Sequence, residues 1–216
     1  MKNNFNFVSI SSWINEQEKE DPTFGCIMME PKEIKDWEEN HLAGIEEKDV
    51  YIKSNEDSYG KEYQPHITIL YGIHEDEIDP SVVIDMIEQK MKPITAEISE
   101  IDVFENDEYD VVKYNVTVTN ELLKYREMFM NSFENTQTFS GYKPHITIAY
   151  VKPGLGKKYK RKLNKSFKVE FIKGIYSYHK KEKGKEDELI RRVVNLEEEK
   201  EKLDDSIINS KPLKTK

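Results

Sequence analysis

The chain has 216 residues, 37% hydrophobic and 35% charged, with a formal net charge of −9, so it is long enough for one good core beneath a heavily solvated surface. A net negative field repels long polyanions, which argues against a duplex-DNA-binding protein. Cys26 stands alone, which excludes an internal disulfide framework and a thiolate metal cage, and no run approaches the roughly 20 apolar residues of a membrane span; a soluble cytoplasmic protein is expected.

Residues 1–20 read as an N-terminal extension in which Phe5, Phe7, Ile10 and Trp13 can pack on the body. An apolar run at 23–29 predicts a strand, an amphipathic stretch from 31 to about 41 closed by Gly44 predicts a helix, and 49–53 predicts a short strand. A further strand is expected within 63–71. Asp79 and Pro80 then supply an N-cap and a first-turn proline for a helix to about 91. Segment 94–104, a turn at Asn106 and Asp107, and alternating Val and Thr over 109–119 predict two more strands. Asn120 is placed as the cap of a helix to about 133, and a polar loop leads into another strand within 142–150. Segments 167–179 and 188–196 bracket a charged turn containing Gly184 and predict a closing hairpin. From 197 to 216 the chain is polar and lysine-rich, a tail rather than part of the body at 21–196.

The chain carries one internal repeat. Residues 63–71 (YQPHITILY) match residues 142–150 (YKPHITIAY) at seven of nine positions. In a strand, residues two apart share a face, so His66 and Thr68 point one way while Ile67 and Ile69 point the other. The same holds for His145 and Thr147 against Ile146 and Ile148. Packing accounts for a duplicated Ile-x-Ile. It gives no reason to keep His and Thr on the opposite face twice, whereas a cleft between the two strands does. Pro65 and Pro144 cannot donate to a central ladder and mark the start of each strand.

With its two His-x-Thr motifs spaced by 79 residues, the chain resembles the 2H phosphoesterase superfamily, the RNA-ligase-like and cyclic-phosphodiesterase proteins, over about 23–196. The resemblance implies an α+β fold of two pseudo-symmetric lobes of antiparallel sheet plus helices around a central cleft. It also implies His66, Thr68, His145 and Thr147 as the catalytic set, needing no cofactor. The chemistry suits those residue types. Near neutral pH one imidazole can act as general base and another as general acid, and threonine hydroxyls can bind the non-bridging phosphoryl oxygens. Which histidine plays which part cannot be read from a near-symmetric motif.

The other histidines, His41, His74 and His179, supply no visible ligand set for a hydrolytic metal, so no metal site is assigned. Phe24, Tyr63, Tyr142, Tyr176 and Tyr178 are candidate substrate-binding aromatics, with core packing as the competing reading. Lys152 opens a basic run reaching Lys165 and is a candidate phosphate contact. The expected partner is a small nucleotide or cyclic oligonucleotide, or an RNA end, with no duplex DNA and no membrane. Similarity to phage-type members, including anti-CBASS proteins, tilts the reading towards hydrolysis of cyclic nucleotide signals. The alternatives are 2′,3′-cyclic phosphodiester or 2′,5′ RNA-end processing, and a module that sequesters a nucleotide without cutting it.

Overall fold

The computed structural model describes residues 23–53, 59–137, 141–180 and 187–197. The expected extension at 1–20, the turn around Gly184 and the tail beyond 197 lie outside the described residues. Among the described residues seven strands, β1 (Phe24–Pro31), β2 (Ile67–His74), β3 (Ile94–Phe104), β4 (Asp110–Val116), β5 (His145–Val151), β6 (Arg161–Lys180) and β7 (Glu188–Asn195), carry two α-helices, α1 (Pro80–Lys90) and α2 (Asn120–Ser132). The sheet order is β1-β2-β5-β4-β3-β6-β7, and β6 also pairs with β1. All of these pairings are antiparallel.

The 20-residue β6 joins the two halves. Its first part, Arg161 to Phe171, pairs with β3, and its second part pairs with β1 on one edge and β7 on the other. One half-sheet is therefore built on β1 and β2 and the other on β4 and β5, as the internal repeat requires. Between the halves β2 meets β5 at a single registered pair, Ile67 with Ile146. Beyond it the strands splay because other backbone occupies their edges. Tyr51 and Glu62 reach β5 through Tyr51 N to Tyr150 O (3.0 Å) and Glu62 N to Ile148 O (2.9 Å), and residues 134–136 reach β2 through His74 N to Glu134 O (3.0 Å) and Thr136 N to Gly72 O (2.8 Å).

Cross-strand partners share a face, so the register sorts the side chains. Ile67, Met29, Ile146 and Tyr114 fall on one face, where they are 0–4% exposed. That face is the helix side: α1 buries Val83 and Ile87, and Ile87 sits against Gly174, leaving no room for a Cβ there. Fully burying each such aliphatic chain contributes roughly 1.5–3 kcal/mol.

Several expectations meet the structure directly. Strand 94–104 and the helix from Pro80 form as read, and the Asp79 carboxylate accepts from Ser81 N at 2.9 Å as an N-cap. The cap of α2 is Thr119 rather than Asn120; its hydroxyl accepts from Leu122 N at 3.2 Å. The expected helix at 31–41 shrinks to one π-type turn, Trp37–Leu42. Pro31 is taken by β1, paired with Phe171, and the chain enters the turn through Asp36 in a left-handed conformation, so only a turn's length remains. The expected strand 49–53 is replaced by a 3-10 turn, Glu47–Asp49, and isolated bridges, among them Val50 to Val151, because this segment seals the open edge of β5. Strand β6 begins six residues before the expected 167, since its lysines point to solvent while the backbone pairs with β3.

Candidate active site

The pairing of Ile67 with Ile146 sets the geometry. An antiparallel register through that pair places His66 opposite Thr147 and Thr68 opposite His145, all four on the face away from the helices. The two motif centres are therefore neighbours, related by a local two-fold axis through the isoleucine pair. The four candidate catalytic residues come together.

Each imidazole is held in the same way. His66 Nδ1 lies 2.9 Å from the Gln64 carbonyl and His145 Nδ1 lies 2.8 Å from the Lys143 carbonyl. A carbonyl oxygen can only accept, so in both rings Nδ1 carries the hydrogen. That fixes the tautomer and leaves Nε2 as the nitrogen able to exchange a proton. The carbonyl comes from the residue before the motif proline, so each His-x-Thr unit orients its own histidine.

The surroundings of the two histidines differ. Asn115 is the cross-strand partner of His145 and Lys113 that of Thr147, so both side chains of β4 share the histidine face. Phe104 meets His145 edge-on, with ring centroids 5.0 Å apart. Burial, then the nearby Lys113 and His66, push the His145 pKa down to about 4, although the Lys143 carbonyl favours its charged form. His145 is thus neutral at physiological pH. On the other side Thr68 pairs with Met28, an apolar neighbour, and its side chain hydrogen-bonds the Cys26 thiol. Burial holds that thiol protonated, its pKa pushed up to about 12. Arg191 donates to the side-chain carbonyl of Gln64, the residue that holds His66, and to Glu30 at 3.2 Å.

The candidate substrate residues scatter. Phe24 lies on the histidine face beside Tyr71 and His74, with centroids 6.0 and 5.7 Å away. Tyr63 is 61% exposed just ahead of the first motif. Tyr142 is a tie across the repeat: its hydroxyl donates to Thr68 O at 3.1 Å and its ring takes the Arg126 guanidinium at 4.9 Å. Because Ile175 and Ser177 pair with Met28 and Cys26, Tyr176 and Tyr178 point to the helix side. Tyr176 is fully buried there under Gly25 and stacked on Tyr178 at 5.1 Å. Lys152 extends to the 3-10 turn, where its ammonium donates to Lys48 O at 2.8 Å. Three further lysines of the basic run are tied to carboxylates, Lys157 to Glu105 at 2.8 Å, Lys158 to Glu46 at 2.8 Å and Lys160 to Asp102 at 2.7 Å. Among the described residues no three His, Cys, Asp or Glu side chains gather as a metal site would need.

The sequence profile of the 2′-5′ RNA ligase superfamily matches residues 32–172, a span that contains both motifs and the strands between them. The chain belongs to that superfamily. Membership supports a phosphoesterase activity, and the fold is shared with a solved structure. A Thermus thermophilus protein aligns at 14% identity and TM-score 0.50, covering 80% of this chain and 97% of that one. A structure described as a phosphoesterase aligns at 11% identity and TM-score 0.47, covering 81% and 99%. LigT of E. coli, solved with 3′-AMP, aligns at 12% identity and TM-score 0.48, covering 82% and 99%. No curated relative matches the chain.

Within that superfamily frame, sequence reading missed Lys113, Asn115 and Phe104. The available signal was Lys113 itself, a lone charge in the apolar run Val111-Val112-Lys113-Tyr114. In a central strand with both faces covered, such a residue needs a partner or a role. No helix among the described residues is long and apolar enough to cross a membrane.

Proposed function

We propose that the chain is a metal-independent nucleotide phosphodiesterase in which His145 is the general base, His66 the general acid, and Thr68 and Thr147 bind the non-bridging phosphoryl oxygens. The observation that carries this reading is the Ile67–Ile146 pair, which lines up two Nδ1-anchored histidines and two threonines on one face. Neutral His145 takes a proton from water at Nε2 as the oxygen attacks phosphorus. The P–O bond to the leaving oxygen breaks, and that oxygen receives the Nε2 proton of protonated His66. The products are a phosphomonoester and a free hydroxyl. The bound anionic phosphate favours the imidazolium that forms, and in this reading the threonine hydroxyls hydrogen-bond the oxygens on which charge develops.

The substrate in this reading is a small cyclic nucleotide or cyclic oligonucleotide signal, acted on in a reducing cytoplasm where Cys26 stays a thiol. Support comes from the basic side chains around the site. Glu30 takes Lys173 (3.6 Å) and Arg191 (3.2 Å), and Asp102 takes Lys160 (2.7 Å) and Lys113 (3.5 Å). These cations are committed to carboxylates rather than forming a row for an extended backbone. The superfamily's description, 2′-5′ RNA ligase, favours a second reading, action at 2′,5′-linked RNA ends, with 2′,3′-cyclic ends as the related substrate. The test incubates the protein, with and without EDTA, with 3′,5′-cyclic dinucleotides, larger cyclic oligonucleotides, 2′,3′-cyclic nucleotides and 2′,5′-linked dinucleotides. Turnover that survives EDTA and is lost in His66→Ala and in His145→Ala is the expected result. Tight binding without turnover replaces the enzyme with a sequestering module, and loss of activity in EDTA refutes the metal-free mechanism.

A further inference from the structure

The two-fold repeat makes the histidines equivalent in sequence, yet a phosphodiester needs one base and one acid. The cause of the difference should therefore lie outside the repeated strands. At the position opposite the motif threonine, the first half presents Met28 and the second presents Lys113. Lys113 is 1% exposed, an unusual place for a lysine. Its ammonium donates to the Asn115 side-chain carbonyl, faces Asp102 at 3.5 Å and lies 4.1 Å from the centre of the Phe104 ring. That same ring touches His145.

We propose that Lys113 is a positioning residue that makes the duplicated site directional, its fixed buried charge keeping His145 as the base and so leaving His66 to act as the acid. The inference rests on the two-histidine reading above. Coulomb interactions are strong where water is excluded, and a cation beside a buried imidazole disfavours the imidazolium. Other charged groups bear on His145. Lys143, two residues before His145, lies near the Lys113 charge, and His66, just ahead of β2, adds to the repulsion. From β3, Asp102 and Glu100 oppose it, but Asp102 is bound to Lys160 and Glu100 accepts from Asn115 at 2.6 Å. Although burial acts the other way, Lys160, the Val103 amide and Asn115 keep the Asp102 carboxyl below the usual carboxylate range. Burial lowers the Lys113 pKa too, while Asp102, Glu100 and the face of Phe104 favour its ammonium.

The variant Lys113→Met copies the first half, where Met28 occupies the matching place. Asp102 keeps Lys160 and Asn115 keeps Glu100, so no buried charge is left alone. The titration midpoint of His145 is followed by NMR of its ring protons, assigned by loss of the resonance in His145→Asn, and needs no substrate. In Lys113→Met it should rise by about one pH unit, the low end of what one neighbouring charge does. It should stay in place in Lys113→Arg and in Lys160→Met, which removes an exposed cation of the same cluster. The acid limb of kcat/KM should move with the midpoint. An unmoved midpoint in Lys113→Met overturns the coupling, and a moved midpoint with an unmoved acid limb overturns the directional role. A moved midpoint in a chain that turns over no phosphodiester overturns the hydrolytic reading and leaves the coupling standing.

Discussion

Acidification should expose His145 without any knowledge of the substrate. The folded-state pKa of about 4 lies below the ordinary value of about 6.5. As pH falls through that window the unfolded chain therefore takes up a proton before the native state does. Stability from this group is complete above pH 6.5 and declines to a floor below pH 4. A separation of about 2.5 units corresponds to about 3 kcal/mol, an upper figure because the ring is only partly buried. Carboxylates such as Asp102, whose pKa is lowered, lose their contribution at still lower pH, below their ordinary range. His41, lowered chiefly by burial, slopes the same way as His145. The informative quantity is therefore a difference between two proteins. Urea unfolding, read by tryptophan fluorescence at pH 4, 5, 6 and 7, should show His145→Asn flatter than the parent by about 2–3 kcal/mol across the window. The asparagine amide can still donate to the Lys143 carbonyl. Parallel curves for the two proteins would refute the buried, neutral imidazole. The rate follows the same titration: at pH 5 about nine-tenths of His145 is neutral, against about 3% for an unperturbed histidine. An acid limb of kcat/KM near pH 6.5 would remove His145 from the role of base.

Thr147→Val should lower kcat/KM by about 100-fold, the scale of one lost oxyanion donor, while unfolding free energy changes by less than about 1 kcal/mol; steady-state kinetics beside urea melts separate the two. Tyr142→Phe removes the bond to Thr68 O and should cost about 1 kcal/mol of stability with KM unchanged. A several-fold rise in KM with no loss of stability would restore Tyr142 as the substrate contact expected from its place before the motif. Gly72→Ala should destabilise by at least about 2 kcal/mol in a denaturant titration. Gly72 has φ +96°, and a Cβ there would stand 2.1 Å from the Thr136 carbonyl. Near-wild-type stability would mean that residues 134–136 do not clamp the edge of β2.

The repeat made the four central residues legible, because strand alternation and duplication are properties of the sequence itself. His66, Thr68, His145 and Thr147 needed only the inference that two like strands face one another. The aromatic candidates fared differently. Tyr176 and Tyr178 fall on the helix side because β6 pairs with β1 in a register set by strands far apart in sequence, from Cys26–Ser177 to Pro31–Phe171. No local pattern carries that parity. Lys152 read as a phosphate contact from its nearness to the motif, but at the far end of β5 its ammonium donates to Lys48 O. Trp37–Leu42 lost its helix to tertiary demand: Trp37 donates to Glu62 O at 2.7 Å and His41 meets the Tyr114 hydroxyl at 2.7 Å.

What the repeat could not disclose is the part of the site that is not repeated. A two-fold arrangement of His and Thr would let either imidazole serve as base. Attack and departure at phosphorus take place on opposite sides, so such a site would have no fixed polarity, and about half of its encounters would meet the proton on the wrong imidazole. The two halves differ where β1 and β4 flank the motif strands, with Met28 against Thr68 and Lys113 against Thr147. They differ again beside the rings, where Phe104 meets His145 while Arg191 donates to the side chain of Gln64, two residues before His66. In the proposed mechanism the repeat supplies the two histidines, and the unlike flanking strands supply the asymmetry around them. On that view, changes on β1 and β4 should alter pH dependence and substrate orientation, whereas replacing either motif histidine should abolish turnover altogether.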